Sequence, residues 1–266
     1  MIESLKPVES LHAGSLRVEI YPDSEAAGIS AAQHAALTIA NIAETHVSIS
    51  IIFATGASQI NVLRALTEFP GLPWERVIGF HMDEYENLPP DHPASFRRYL
   101  QERLLSRVPM KEFHAIDADR TDLRALCGEY AKKLRAAGPR LCLLGIGENG
   151  HLAFNDPPVA DFHDPEDVKV VVLDEACKQQ QIAEGWFNSI EEVPKRAVTL
   201  TIPALLRVPK LIASVPGLRK ADIVRRALSE PISTSCPATI LRTHPDCTLY
   251  LDPDSASKLK VNAGQQ

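Results

Sequence analysis

The chain has 266 residues, 45% of them hydrophobic, which suits one large α/β domain that buries most of its surface on folding. A formal net charge of -6, with no block of five or six basic residues, argues against a nucleic-acid surface held by phosphate contacts and leaves a small polar ligand as the expected partner. The five scattered cysteines form no C-x-x-C pair, no apolar run approaches the roughly 18 residues of a membrane span, and MIESLKPVES lacks a leader pattern, so the expectation is a cytoplasmic protein with neither a disulfide framework nor a membrane partner.

In chain order, apolar runs predict strands at residues 16–21, 46–53, 76–82, 140–146, 168–173, 197–202, 210–215 and 247–251. Helical patterns lie between many of them, at 23–44, 59–68, 94–105, 121–136, 176–187 and 218–228. Such alternation predicts a three-layer, Rossmann-like sandwich with a mostly parallel central sheet, because a parallel pairing needs a crossover and the usual crossover is a helix. One domain over 1–252 is expected, with a tail at 253–266 that is a candidate for fraying. Ligands of such sheets collect where loops leave the carboxyl ends of strands, which directs attention to three loops.

The first follows IIF. Thr55, Gly56, Ala57 and Ser58 lead into a helix, and small residues there let backbone N–H groups approach an anion, although a glycine turn with Ser58 as helix cap reads equally well. The pattern is not a Walker A loop. In the second, Asp83 and Glu84 follow an apolar run directly, where a partly desolvated carboxyl acquires a raised pKa suited to a general base; acidic pairs at loop starts are more often simply solvated.

The third, GIGENGHLAFNDP (residues 145–157), contains the letters G-x-G-x-x-G, and Asp174 stands where a dinucleotide fold places its acidic residue. Pro157 and Pro158 oppose that reading, since a helix begun at Gly150 would run for hardly two turns before a proline costing about 3 kcal/mol or more. What remains is a tight glycine loop presenting His151, a side chain suited to proton transfer near neutral pH, with Asp156 or Asn149 to orient its ring. His81, Trp186, Phe187 and Cys236 read as structural residues.

Taken together, ATGAS, MDEYENLPPDHPASF, GIGENGHLAFNDP, VPKRAVT, GLRKA and SCPATILRTHPDCTLYLD resemble the glucosamine-6-phosphate deaminase (isomerase) family, related in fold to 6-phosphogluconolactonases, over about residues 50–252. The resemblance implies a fold of the sugar-phosphate isomerase/deaminase type with a lid near 174–195, a sugar-phosphate substrate, and no metal or organic cofactor; homo-oligomers are compatible with it. It implies that Thr55, Gly56, Ala57, Ser58 and Lys220 hold the phosphate and that Gly145 and Ala153 line the sugar. Asp83 would move the C2 proton, although from the residues alone either Asp83 or Glu84 could, and His151, oriented or tuned by Asp156, would open the ring. The implied products are fructose 6-phosphate, or the matching ketose, and ammonia. A related lactone hydrolase and a non-catalytic sugar-phosphate binder are the alternatives.

Two departures from the family pattern stand out. Asn149 and Asp156 occupy positions where the well-studied branch has aspartate and glutamate, and there is no arginine between Lys178 and Lys195 to clamp the phosphate from the lid. Gln181, Lys178 and Arg219 are the candidates to replace it.

Overall fold

The computed structural model describes residues 5–259. Its frame is an eight-stranded sheet built from β1 (Glu9–Ala13), β2 (Leu16–Ile20), β3 (Ile49–Phe53), β4 (Val77–His81), β6 (Glu112–His114), β7 (Leu141–Leu144), β10 (Lys210–Ser214) and β11 (Cys247–Leu251). The spatial order is β1-β2-β11-β10-β7-β3-β4-β6, and every neighbouring pair is parallel except β1 with β2. After β3 the chain moves outward to β4 and β6, then returns to β7 and continues the other way, so the switch point lies between β3 and β7.

Both faces of the sheet are covered. Along β3, Ile49, Ile51 and Phe53 join one core while Ile52 joins the other, the alternation that a pleated strand imposes. One face packs against α1 (Ser24–Thr45), α2 (Ile60–Thr67) and α3 (Phe96–Leu100), the last continuing as a π-helical turn to Leu105. The other packs against α4 (Leu123–Ala137), α6 (Ile202–Leu206) and α7 (Ala221–Ser229). Helix starts follow the expected chemistry: Asp23 Oδ1 accepts the Ala26 N–H at 2.7 Å, and Asp122 Oδ1 accepts that of Ala125 at 2.9 Å.

The three-layer fold is as expected, but two strands change partners. β8 (Val168–Val172) and β9 (Arg196–Leu200), expected in the parallel sheet, pair antiparallel with each other, and β9 pairs with β5 (Asp83–Tyr85) in a separate three-stranded sheet. The chain leaves the main sheet at Met82, whose carbonyl accepts the Leu200 N–H at 3.0 Å, and enters the small sheet at Asp83. That handover fixes Asp83 at the carboxyl edge of the main sheet.

Helix α5 (Glu175–Ala183) and the turns after it lie over the small sheet. Phe187 meets the Tyr85 ring edge-on at 5.4 Å, and Cys177, Phe187 and Val193 share a cluster with Phe96 and Phe154. Of the tail after Asp252, residues 253–259 are described and begin with α8 (Pro253–Ala256), held by a capping box between Asp252 and Ser255. Residues 260–266 lie outside the described residues. Among the described residues no helix is long and apolar enough to cross a membrane.

Candidate active site

A cleft of about 300 Å³ opens at the carboxyl ends of β3, β4, β7 and β10, beside the switch point. Its lining brings together Thr55, Gly56, Ala57 and Ser58 from the first loop, Asp83 from the second, and Gly145, His151 and Ala153 from the third. Gln181 and Lys220 complete the residues expected there from sequence.

One end of the cleft is made by two loops of the same design. After β3, Gly56 adopts φ 89° and ψ 175°, Ala57–Gln59 make a 3-10 turn, and α2 follows; after β10, Gly217 adopts φ 96° and ψ 151°, Leu218–Lys220 make a 3-10 turn, and α7 follows. A positive φ of this size is strained for side-chain-bearing residues, which is why each turn begins with glycine. Two helix amino ends thereby point at one volume, an arrangement suited to an anion. The first loop is fixed from outside: Tyr99 OH donates to the Gly56 carbonyl at 2.8 Å, and Gln59 Nε2 donates to the Leu144 carbonyl at 3.0 Å. The second turn ends at Lys220, 9% exposed, whose pKa is lowered by burial against the opposing pull of Glu184 and Glu148.

Asp83 and Glu84 have different fates because adjacent residues on a strand face opposite ways. Asp83 lines the cleft, and burial, with the like charge of Glu84 second, raises its pKa well above the usual carboxylate range. Glu84, expected beside it in the chemistry, is fully buried away from the cleft. Its carboxylate accepts the backbone N–H groups of Tyr85 (2.9 Å), Phe96 (3.3 Å) and Arg97 (2.8 Å) and the Ser95 hydroxyl (3.0 Å). It therefore holds the start of α3 and does not line the cleft.

At the other side, the turn from Gly145 to Asp156 folds back on itself, with Ala153 at φ 50° and a Leu152–Asn155 bridge, and brings Asp156 under His151. His151 Nδ1 lies 2.8 Å from Asp156 Oδ1, a contact that becomes an ion pair when the ring is protonated. Burial raises the pKa of Asp156, yet His151, the Asn149 amide (2.9 Å) and the Asp174 N–H (3.0 Å) outweigh it and hold the carboxyl below its usual range. The ring partner left open by the sequence is thus Asp156. Asn149 makes no hydrogen bond to the ring and does not line the cleft; its Oδ1 accepts the His151 backbone N–H at 3.0 Å and its amide donates to Asp156. The imidazole rests flat on Gly147, where a Cβ would come within 2.2 Å of the ring.

The segment expected as a lid contributes Gln180, Gln181 and Glu184 to the cleft wall, whereas Lys178, Trp186 and Phe187 do not line it. Gln180 Oε1 accepts the Glu148 N–H at 2.8 Å, and its amide donates to Glu184 Oε1 at 2.7 Å. Gln180, Glu184 and Gly217 were not singled out from the sequence; for Gly217 the signal was available, since V-P-G-L-R-K after a strand repeats the grammar of A-T-G-A-S-Q. His81 is deeply buried, with its pKa pushed down to about 3 by burial, and its Nδ1 accepts the Ile116 N–H at 3.4 Å, a structural position. The donor atoms of His151, Asp156 and Cys177 lie within 4.8 Å of one another, a set able to approach a metal ion. Burial raises the Cys177 thiol well above its usual range, and Asp156 adds to the shift, so the neutral thiol stands beside the carboxylate as a weak donor.

A family model described as glucosamine-6-phosphate isomerases/6-phosphogluconolactonase matches residues 22–250. A glucosamine-6-phosphate deaminase of Exiguobacterium sibiricum is 34% identical over 215 residues, covering 81% of this chain and 83% of the relative. One from Bacillus thuringiensis is 31% identical over 219 residues, covering 82% and 81%. Among solved structures, a monomeric glucosamine-6-phosphate deaminase superposes with a TM-score of 0.83 at 29% identity, over 91% of this chain and 99% of that one. A 6-phosphogluconolactonase of Thermotoga maritima gives 0.72 at 21% identity, over 88% and 98%, a likeness of fold alone.

Proposed function

The chain belongs to the family of glucosamine-6-phosphate isomerases and 6-phosphogluconolactonases, and we propose that within it this protein is a deaminating isomerase that converts glucosamine 6-phosphate, or a close 2-amino sugar phosphate, with water to the matching ketose phosphate and ammonia. The observation that carries the choice is Asp83: a buried carboxyl facing the same cleft as the His151–Asp156 pair. Lactone hydrolysis needs an activated water but no base at C2. The names of the 31–34% identical relatives favour the same choice.

In this reading the phosphate sits between the two glycine turns, with Lys220 as its buried cation, and the sugar lies along Gly145, Ala153 and Gln181. His151 moves a proton between O1 and the ring oxygen, which opens the ring; Asp156 fixes the tautomer and stabilises the imidazolium. Asp83 removes the C2 proton and returns it at C1, so one C–H bond breaks and another forms. The resulting C2 imine adds water and expels ammonia. A raised pKa brings Asp83 closer to neutrality, where a carboxylate is a stronger base than an exposed one.

Asp156 supplies beside the ring the negative charge that Asn149 lacks, which favours catalysis over a catalytically quiet binder. A C–N bond is cleaved with water, so the enzyme is a hydrolase in class, acting in cytoplasmic amino-sugar metabolism. The test is ammonia release from a panel of 2-amino-2-deoxyhexose 6-phosphates, with the phosphogluconolactone as control. Ammonia from at least one member is expected; lactone turnover with no ammonia overturns the proposal.

A further inference from the structure

The phosphate end of the cleft poses a problem of charge. A phosphate monoester carries about -1.5 to -2 near pH 7, whereas Lys220 supplies one positive charge and Glu184 lines the same cleft. The lid has no arginine between Lys178 and Lys195. Of the three candidates from sequence, Lys178 does not line the cleft and Gln181 is neutral.

Arg219 does line it, one residue before Lys220 in the second glycine turn. Its side chain is 51% exposed, and its Nε stands 3.5 Å from Glu148 Oε1, a loose ion pair. That oxygen is buried and accepts no hydrogen bond. The Glu148 backbone is tethered through its N–H to Gln180, which reaches on to Glu184, so its main chain is fixed independently of the long contact to the guanidinium. A pair this long, on an arginine half exposed to solvent, holds more weakly than a charge-assisted contact to phosphate.

We propose that Arg219 is the phosphate clamp of this enzyme, parked on Glu148 and transferred to the substrate phosphate when the cleft fills. The inference rests on the proposed sugar-phosphate function and names a specificity-determining residue within it. The planar guanidinium meets two phosphate oxygens at once, which an ammonium does not.

The test is a KM-against-kcat comparison of wild type, Arg219→Ala, Arg219→Lys and Glu148→Gln with glucosamine 6-phosphate, together with calorimetric titration of inorganic phosphate. Arg219→Ala is expected to raise KM and the phosphate Kd by about 10- to 100-fold with kcat changed far less. Arg219→Lys should recover part of the loss, and Glu148→Gln, which frees the arginine, should lower KM by up to about 5-fold. Arg219→Ala that leaves KM and the phosphate Kd within twofold of wild type, in a protein of unchanged Tm, overturns the clamp. If wild type releases no ammonia, the deaminase reading fails by itself, and the phosphate titration still decides the role of Arg219.

Discussion

Gly147→Ala is the substitution whose effect follows most directly from the geometry. Gly147 is not among the residues with positive φ, so alanine is acceptable to the backbone and the change is purely steric. The added Cβ would lie 2.2 Å from Cε1 and Nε2 of His151 and 2.4 Å from Nδ1. Ordinary contact begins near 3.4 Å, so the ring must retreat by about 1 Å across its whole face. Asp156 cannot follow, because Asn149 and the Asp174 N–H hold it. A misplacement of this size costs about 100-fold in rate, or about 2.7 kcal/mol of transition-state stabilisation. The assay is ammonia release from glucosamine 6-phosphate, with inorganic phosphate affinity as a control, since the glycine turns proposed to bind the anion are untouched. Expected is a kcat lowered about 100-fold at unchanged phosphate Kd. A kcat within threefold of wild type would refute the reasoning that His151 acts from the position its contact with Gly147 defines.

Asp83→Asn should lower deamination by about 10²- to 10⁴-fold while leaving substrate binding within a few-fold, as read by kcat and by an inactive analogue's Kd. Because burial and Glu84 raise the Asp83 pKa, and only the ionised base works, kcat/KM should rise with pH through a limb above the ordinary carboxylate value of about 4. Glu84→Gln removes the like charge and should move that limb to lower pH; an unmoved limb contradicts the electrostatic assignment. The same variant should also lower Tm, because an amide replaces a carboxylate at the start of α3. Asn149→Asp exchanges a donor 2.9 Å from Asp156 for a like charge, so one of the two must take up a proton and the pH profile should shift upward. An unchanged profile rejects Asn149 as the group that steadies Asp156.

The sequence carried the frame of this fold because buried parallel strands announce themselves as apolar runs between helices. It was silent on β1, β5 and β6, which lie at sheet edges and begin with acidic residues, β5 and β6 being only three residues long. Direction of pairing was also hidden: VKVVVL looks the same in a parallel or an antiparallel sheet, and β8 and β9 proved antiparallel. In the site, Asp83 and His151 were legible as chemistry-bearing residues at strand ends. Glu84 was misplaced because the strand it belongs to went unread; with β5 recognised, its alternation sends Glu84 to the opposite face. The choice between Asn149 and Asp156 depended on a left-handed Ala153, a conformation uncommon for alanine that no periodicity signals.

The measurement that bears most directly on the chemistry is the fate of deuterium placed at C2 of glucosamine 6-phosphate. Wild type should remove it from C2 with a primary isotope effect or exchange, and release ammonia, whereas Asp83→Asn should leave the label at C2. Loss of the label at an undiminished rate in Asp83→Asn would contradict the role given to that carboxyl.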